Sequence, residues 1–494
     1  MIAILLIPVI TAIICFALKN HKLISYMSLI GVIILAVFSV PIITSSVSSP
    51  IISLNSILYM DALSGYIMAL VILLSLASGG YSIGYIEHEL KIGLIDITGV
   101  RRYYALFHLF IFTMLLVVVT NNLTVMWIAI EATTIVSALL IGLGFTKRPM
   151  AIEAAWKYII LCTVGITFAL LGIFITYYAS TAVLGTGGAL NWTTLKSIAS
   201  RLNPATMKLA FIFVLLGYGT KAGLAPVHNW LPDAHSEAPS PISALLSGIL
   251  LNTAFYGIIR FVSIVEPSTG SNFTGNLLIL FGLVSMGISS IFILVQENYK
   301  RLLAYSSIEH MGIISLGIGI GGVIGIYGAL LHILNHAISK SLMFFSSGRI
   351  QAHYGSTKIE NITGVLSSMP LLGTLTFIGA LSLAGTPPFN IFLSEFTILK
   401  AGVDKGLWVV VGLFLLFAVI VFYGMLSVFV KMLFGVRNAE YDNQKIVKAH
   451  YTGSDIFSYT IMVIMAICII SLGLTVPDFI DGTIRECINV LGVR

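Results

Sequence analysis

Residues 217–241 read GYGTKAGLAPVHNWLPDAHSEAPSP. The stretch joins two apolar runs, Leu209–Leu216 before it and Ile242–Ile259 after it. Between them stand Lys221, His228, Asp233, His235, Glu237 and the four prolines Pro226, Pro232, Pro239 and Pro241. Proline has no backbone N–H to donate and its ring clashes with the preceding turn, so this segment cannot be one straight helix. At membrane depth, non-helical backbone survives only where protein buries it or where it lines a watered cavity. A lysine beside such a break is costly unless it is used or paired, which makes Lys221 a functional candidate. The competing reading is that Lys221 snorkels to an interface.

Working outward, composition sets the class. Hydrophobic residues are 58% of 494 and charged residues only 9%, with a mean hydropathy of +1.02. A soluble domain carries roughly 25% charged residues, so the chain is a polytopic membrane protein. The net charge of +6 is scattered and gives no basis for a nucleic-acid partner. Cys15, Cys162, Cys468 and Cys487 stand alone without a CxxC pair. They supply no iron–sulfur ligand set and no disulfide framework, so no cofactor is expected on this chain. Met1–Leu18 lacks a basic leader and a cleavage site and reads as a retained first span.

At about 20 apolar residues per crossing, an all-α chain of about fourteen spans is predicted. They fall near 2–18, 24–45, 62–85, 103–119, 123–143, 155–178, 207–222 with a broken continuation to 235, 241–262, 274–295, 302–320, 322–348, 368–400 with a break at Pro387-Pro388, 407–433 and 456–476. The tail from Val476 to Arg494 is expected along the surface.

Basic residues set the orientation. Loops after odd-numbered spans hold Lys19, Lys22, Lys91, Arg101, Arg102, Lys147, Arg148, Lys300, Arg301, Arg349, Lys358, Lys431, Arg437, Lys445 and Lys448. Loops after even-numbered spans hold Lys196, Arg201, Arg260, Lys400 and Lys405. Fifteen against five puts the odd loops in the cytoplasm and both termini outside.

The chain also hints at duplication. Span 7 has a lysine and a proline break, and span 12 has the break GTPPFN (385–390) followed by Glu395. Five spans separate them, so two such units would sit inverted, an arrangement in which broken helices mark an ion path. The expected units are helices 1–3 (residues 1–100), a first repeat of helices 4–8 (101–263), an inverted second repeat of helices 9–13 (264–435), and helix 14 with the tail (436–494).

Few ionisable residues fall inside the apolar runs. Glu131 lies in WIAIEATTIVSALL with no basic residue nearby in sequence. Such a carboxylate is neutral or paired through space, and Lys221 is the available partner. Glu309 lies in YSSIEHMGIISL, and His332, His336 and Lys340 recur at four-residue intervals. That spacing puts all three on one helix face, about 6 Å apart along the axis. Glu395 ends the series. Glu153 and Lys157 read as a local ion pair at a span edge, and Asp61 and Asp233 as structural groups near interfaces. Metal binding fits poorly, because only His332 and His336 have ligand spacing and a lysine follows them. A proton relay fits better: histidine titrates near neutral pH and a desolvated lysine can release its proton.

At these residues the chain resembles the antiporter-like membrane subunits of respiratory complex I, Mrp-type sodium/proton antiporters and membrane-bound [NiFe]-hydrogenases. The resemblance runs from about Asp61 to Gly435 and is carried by WIAIEATT, LAPVHNWLPDAHSEAPSPISALLSGILL, LAYSSIEHMGI and GTPPFNIFLSEF. It implies that Glu131 and Lys221 form the pumping pair, that Lys340 is the central lysine and that Glu395 is the terminal charge. The family commonly carries a lysine in span 8, where this chain has Asn252 in LLN. Water or Asn252 would then have to bridge Lys221 to span 11. His336 with Lys340 looks like the L-type chain of complex I, and Glu395 like the M-type chain. Asn252 with SSIEHMG and SEAPSPISALLSG looks most like the F-type subunit of formate-hydrogenlyase-like hydrogenases, and the long lateral helix of the L-type chain is missing.

The resemblance implies translocation of protons, or of Na+, by a subunit in the plasma membrane of a prokaryote. Its expected partners are other membrane subunits and a peripheral arm holding [NiFe] and iron–sulfur centres. The alternatives are a complex I M-type chain, an Mrp-type or stand-alone antiporter, and a membrane scaffold whose pump is vestigial.

Overall fold

The computed structural model describes residues 1–142, 149–270, 272–435 and 453–492. Lys147, Arg148, Arg437, Lys445 and Lys448, which enter the orientation argument, lie outside the described residues, as does the start of the expected C-terminal unit.

In chain order the helices are α1 Ile2–Ala17, α2 His21–Ser48, α3 Ala62–Lys91, α4 Ile97–Val119, α5 Leu123–Gly142 and α6 Pro149–Leu184. A short α7, Trp192–Ser197, precedes α8 Pro204–Ala222, α9 Leu231–Glu237 and α10 Ser240–Leu245. The series continues with α11 Leu251–Thr269, α12 Phe273–Leu294, α13 Tyr299–Ile320, α14 Gly322–Tyr354 and α15 Val365–Ser368. It ends with α16 Pro370–Leu383, α17 Asn390–Asp404, α18 Trp408–Phe434, α19 Gly453–Leu474 and α20 Asp478–Leu491. Twelve helices of the described residues are long and apolar enough to cross a membrane, and they match expected spans 2–11, 13 and 14. Expected spans 1 and 12 correspond to shorter pieces: α1 has 16 residues, and α16 and α17 have 14 and 15. One departure from an all-α chain is a small antiparallel hairpin, Ile51–Ser53 with Leu58–Met60. Its turn, Leu54 to Ser56, takes positive φ at all three residues.

The break after Lys221 is built from local rules. Helix α8 closes on Gly223 at φ +76, a left-handed cap that glycine adopts without a Cβ penalty. The groups freed by the break find partners inside the protein. Trp230 Nε1 donates to the Thr220 carbonyl at 2.8 Å, and Ala225 N–H donates to Ser285 Oγ at 2.9 Å. Lys300 Nζ donates to the Ala238 carbonyl at 2.9 Å. Irregular backbone therefore sits at this depth without an orphaned amide at these points. Gly217 lets α8 lie directly on α6, since a Cβ there would collide with the Ala169 backbone.

A π-helical turn at Leu246–Leu250 joins α10 to α11. The Gly248 carbonyl in this turn accepts a hydrogen bond from Asn252 Nδ2 at 2.8 Å. Burial is uneven around the bundle. The most apolar window of Ser240–Thr269 is 100% buried and that of Tyr299–Ile320 94%, whereas that of Trp408–Phe434 is only 22%. Asn252 of α11, Glu309 and His310 of α13, and His332, His336 and Lys340 of α14 thus face protein rather than the lipid side. The chain's last helix, α20, turns Ile484, Cys487 and Ile488 inward against the bundle.

Candidate functional site

The first polar cluster forms where α5, α6 and α8 meet. Lys221, fully buried, donates from Nζ to Thr134 Oγ1 at 2.8 Å and to the Tyr158 hydroxyl. Thr134 in turn donates to Glu131 Oε2 at 3.3 Å, and Thr163 donates to Glu131 Oε1 at 2.7 Å. The pairing expected between Glu131 and Lys221 is therefore bridged by a hydroxyl rather than direct. The physical reason is packing: one turn of α5 separates Glu131 from Thr134, and Thr134 is the residue that faces α8. The Lys221 ammonium also lies 4.7 Å from the Tyr158 ring centre and 6.0 Å from that of Trp230. Two aromatic faces and two hydroxyls offset part of the cost of burying the cation. Tyr158 continues to Ser137 at 2.8 Å.

At the edge of α6, Lys157 pairs with Glu153 at 2.7 Å and also reaches Asp233 at 3.3 Å. Arg301 holds the other Asp233 oxygen at 2.8 Å. Asp233 thereby ties the break to α6 and α13. Asp61 is fully buried and makes a two-pronged ion pair with Arg260, at 2.7 and 2.6 Å. It also caps α3 through the Ser64 N–H at 3.0 Å. The Arg260 guanidinium stacks 4.2 Å from the Trp192 ring centre.

The second cluster joins α13, α14 and α17. Lys340 Nζ donates to the Leu303 carbonyl at 2.8 Å and to Ser306 Oγ. His310 Nδ1 and His332 Nε2 share a hydrogen bond of 3.1 Å, and His332 Nδ1 pairs with Ser394 Oγ at 3.0 Å. The His310 ring also lies 5.2 Å from that of His336, whose two nitrogens have no hydrogen-bond partner among the described residues. Glu309 Oε2 is buried without one as well. Glu395 adjoins Ser394 and is 9% exposed. A His310–His332–Ser394 chain therefore runs across three helices and ends beside Glu395.

Between the clusters stands His235 of α9. It is fully buried, both ring nitrogens lack a hydrogen-bond partner among the described residues, and its ring lies 6.0 Å from Trp230 and 6.1 Å from Phe344. It is within electrostatic reach of Lys340 and Lys300. Asn252, expected to help bridge this gap, spends its amide N–H on Gly248 and keeps only a buried, unpartnered Oδ1. The sequence gives no role to Thr134, Tyr158, Ser306 or Ser394, and it shows His235 only as one polar residue of the break. The hydroxyls carry no charge to mark them within an apolar run, and His235 was hidden among the polar residues of the break.

Comparison with known proteins gives the family and the fold. Residues 120–421 match the family described as "NADH:quinone oxidoreductase/Mrp antiporter, TM". A hydrogenase-4 component F homolog of Methylacidiphilum infernorum is 40% identical over 348 residues, covering 70% of this chain and 73% of that one. Among solved structures, a chain of an archaeal membrane-bound sulfane sulfur reductase superposes with a TM-score of 0.85 at 25% identity, covering 99% of this chain and 97% of that chain. A chain of the Mrp complex from Dietzia sp. gives 0.84 at 19% identity, with the same coverage, and shows the shared fold. The chain belongs to the NADH:quinone oxidoreductase/Mrp antiporter family of transmembrane subunits.

Proposed function

We propose that this antiporter-like membrane subunit carries protons across the bilayer for a redox-driven complex of the membrane-bound hydrogenase type. The observation that carries the reading is the buried His310–His332–Ser394 hydrogen-bond chain, which leads from α13 through α14 to Ser394 on α17, with Glu395 grouped beside the two histidines. Intramembrane ionisable groups in such a row mark proton relays. In this reading Lys221 is the loading site and Glu131 its modulator through Thr134. Glu309, His332, His336 and Lys340 carry the proton onward, and Glu395 is the terminal group. Moving the Glu131 carboxylate toward or away from Thr134 alters how firmly Lys221 keeps its proton, because a nearby opposite charge favours the charged form. An electrostatic signal from a partner subunit can thus bias release by shifting a two-state pairing.

The redox work belongs to partners, with [NiFe] and iron–sulfur centres in a peripheral arm. The complex sits in a prokaryotic plasma membrane with both termini outside. Residues 101–263 and 264–435 form inverted units, a division supported by the matching breaks after Ala222 and after Leu383.

The test is proton uptake by inverted vesicles holding the assembled complex, driven by its electron donor, with the co-purifying subunits identified. Uptake that vanishes in Lys221→Ala while electron transfer and assembly persist is expected. Undiminished uptake in that variant would overturn the reading.

A further inference from the structure

In the sequence only His332 and His336 have ligand spacing, and the lysine that follows argues against a metal there, but the fold assembles a different set. His310 of α13, His332 of α14 and Glu395 of α17 each offer one ligand atom, and these atoms lie within 4.8 Å of one another. The nearest pair is His310 Nδ1 and His332 Nε2, 3.1 Å apart. Two nitrogens bound to one zinc ion at about 2.0–2.1 Å stand about 3.3 Å apart at a tetrahedral angle, so the pair is almost at ligand spacing already.

The surroundings are those of a supported site. His332 Nδ1 is engaged by Ser394 Oγ at 3.0 Å, which leaves Nε2 as the atom facing His310. Ser394 is itself fixed by Asn335 Nδ2 at 3.2 Å. Histidine ligands need such a partner on the far nitrogen to set tautomer and ring orientation. His310 Nε2 and Glu309 Oε2 are buried without hydrogen-bond partners among the described residues. Lys340 directs its Nζ at Leu303 and at Ser306, one turn of α13 before His310, so its charge reaches the site, and Glu309 is the carboxylate within electrostatic reach that offsets it.

We infer that His310, His332 and Glu395 form a binding site for a first-row divalent transition-metal ion of the zinc class, with water completing the coordination. Two imidazoles and a carboxylate with an open position suit zinc, cobalt and their neighbours rather than magnesium or calcium. On binding, His310 moves its N–H from Nδ1 to Nε2 and His332 keeps its N–H on Nδ1. Both facing nitrogens become lone pairs on the metal, and any proton on Glu395 is released. The second carboxylate, Glu309, helps balance the dication. The binding inference goes beyond the proposed translocation and does not depend on it. Its corollary does: a metal here displaces the proton from between His310 and His332, and so blocks passage from α13 to α17.

The experiment is a cobalt(II) titration of the purified, assembled complex, followed by visible d–d absorption and by displacement with zinc. One cobalt ion per chain is expected, with the intense bands of a four-coordinate site. Glu395→Gln and His332→Gln should each weaken binding at least about tenfold, and Ser394→Ala about 10- to 100-fold through loss of the His332 partner. Glu153→Gln should bind normally. Size-exclusion profiles report assembly, and Ser394→Ala is a small change that serves should the ligand variants fail to assemble. Absence of a saturable cobalt site, or one that survives both Glu395→Gln and Ser394→Ala, overturns the inference. Saturable binding with zinc-insensitive proton uptake leaves the site standing and instead defeats the translocation route through these histidines.

Discussion

The Thr134 hydroxyl lies 2.8 Å from the Lys221 ammonium and, on its other side, 3.3 Å from the Glu131 carboxylate. One hydroxyl can do both, donating its proton to the carboxylate while accepting from the lysine. The coupling between the charges thus runs through a group that can be altered without touching either of them. Thr134→Val keeps the shape and removes the hydroxyl, whereas Thr134→Ser keeps it. The valine variant should lose about tenfold in proton uptake per assembled complex, equivalent to about 1.4 kcal/mol and within the range of a lost hydrogen bond to a charged group. The serine variant should retain most of the activity. Equal rates for valine and wild type in vesicle assays would show that Thr134 is only packing.

Depth should separate the two acidic residues of this region. Glu131 is half-buried and held by Thr163 and Thr134. Glu153 makes its ion pair with Lys157 with 56% of its side chain exposed. Exposed pairs of that kind contribute about 0–1 kcal/mol. Glu131→Gln is expected to slow proton uptake by at least about tenfold, and Glu153→Gln by less than twofold. Paired measurements on the same vesicle preparation decide it, and matching losses would remove membrane depth from the explanation.

Some of this was readable from residues alone. Proline and a charge inside an apolar run are local signals, so the breaks after Lys221 and before Glu395 stand where 217–241 and GTPPFN place them. The His332, His336 and Lys340 stripe follows from a 3.6-residue period. Contacts between spans carry no such period. Asp61 and Arg260 are 199 residues apart, and only the folded bundle joins them. His310 meets His332 across two helices, and the π turn that draws in Asn252 has no composition of its own. Thr134 stood in the quoted WIAIEATT, yet a threonine there looks like any β-branched packing residue.

The Asp61–Arg260 pair belongs to stability rather than transport. Its members are 0% and 3% exposed, so removing Asp61 leaves a buried guanidinium without a carboxylate, held by aromatic faces, Ser64 and the Tyr256 hydroxyl. Breaking a buried pair from one side costs about 3–5 kcal/mol. Asp61→Ala should therefore lower the melting temperature of the detergent-solubilised complex and its yield, while uptake per assembled complex stays near normal. A wild-type melting curve for Asp61→Ala would mean that Arg260 finds another partner.

The remaining prediction concerns the route between the two clusters. Asn252 and His235 both stand near the gap, but their bonding differs. The Asn252 amide holds the Gly248 carbonyl that the π turn leaves exposed, so Asn252→Leu should act mainly on stability, by about 1–3 kcal/mol for an unsatisfied buried group. His235 has both ring nitrogens unused and lies beside Trp230 on one side and Phe344 on the other, with Lys340 in electrostatic reach. Trp230, which packs on its ring, also packs against Lys221, so His235 is the candidate to carry a proton from the first cluster toward Lys340. His235→Phe keeps a planar ring of similar size in the same aromatic surroundings and deletes both nitrogens. Proton uptake in that variant should fall by about a hundredfold, the lower end of what a positioned acid–base group contributes, with assembly and melting temperature nearly unchanged. Asn252→Leu should show the opposite pattern, a lower melting temperature with uptake per folded complex within severalfold of wild type. Full uptake in His235→Phe, with Asn252→Leu the variant that stops transport, would move the crossing point from α9 to the π turn and back to the asparagine.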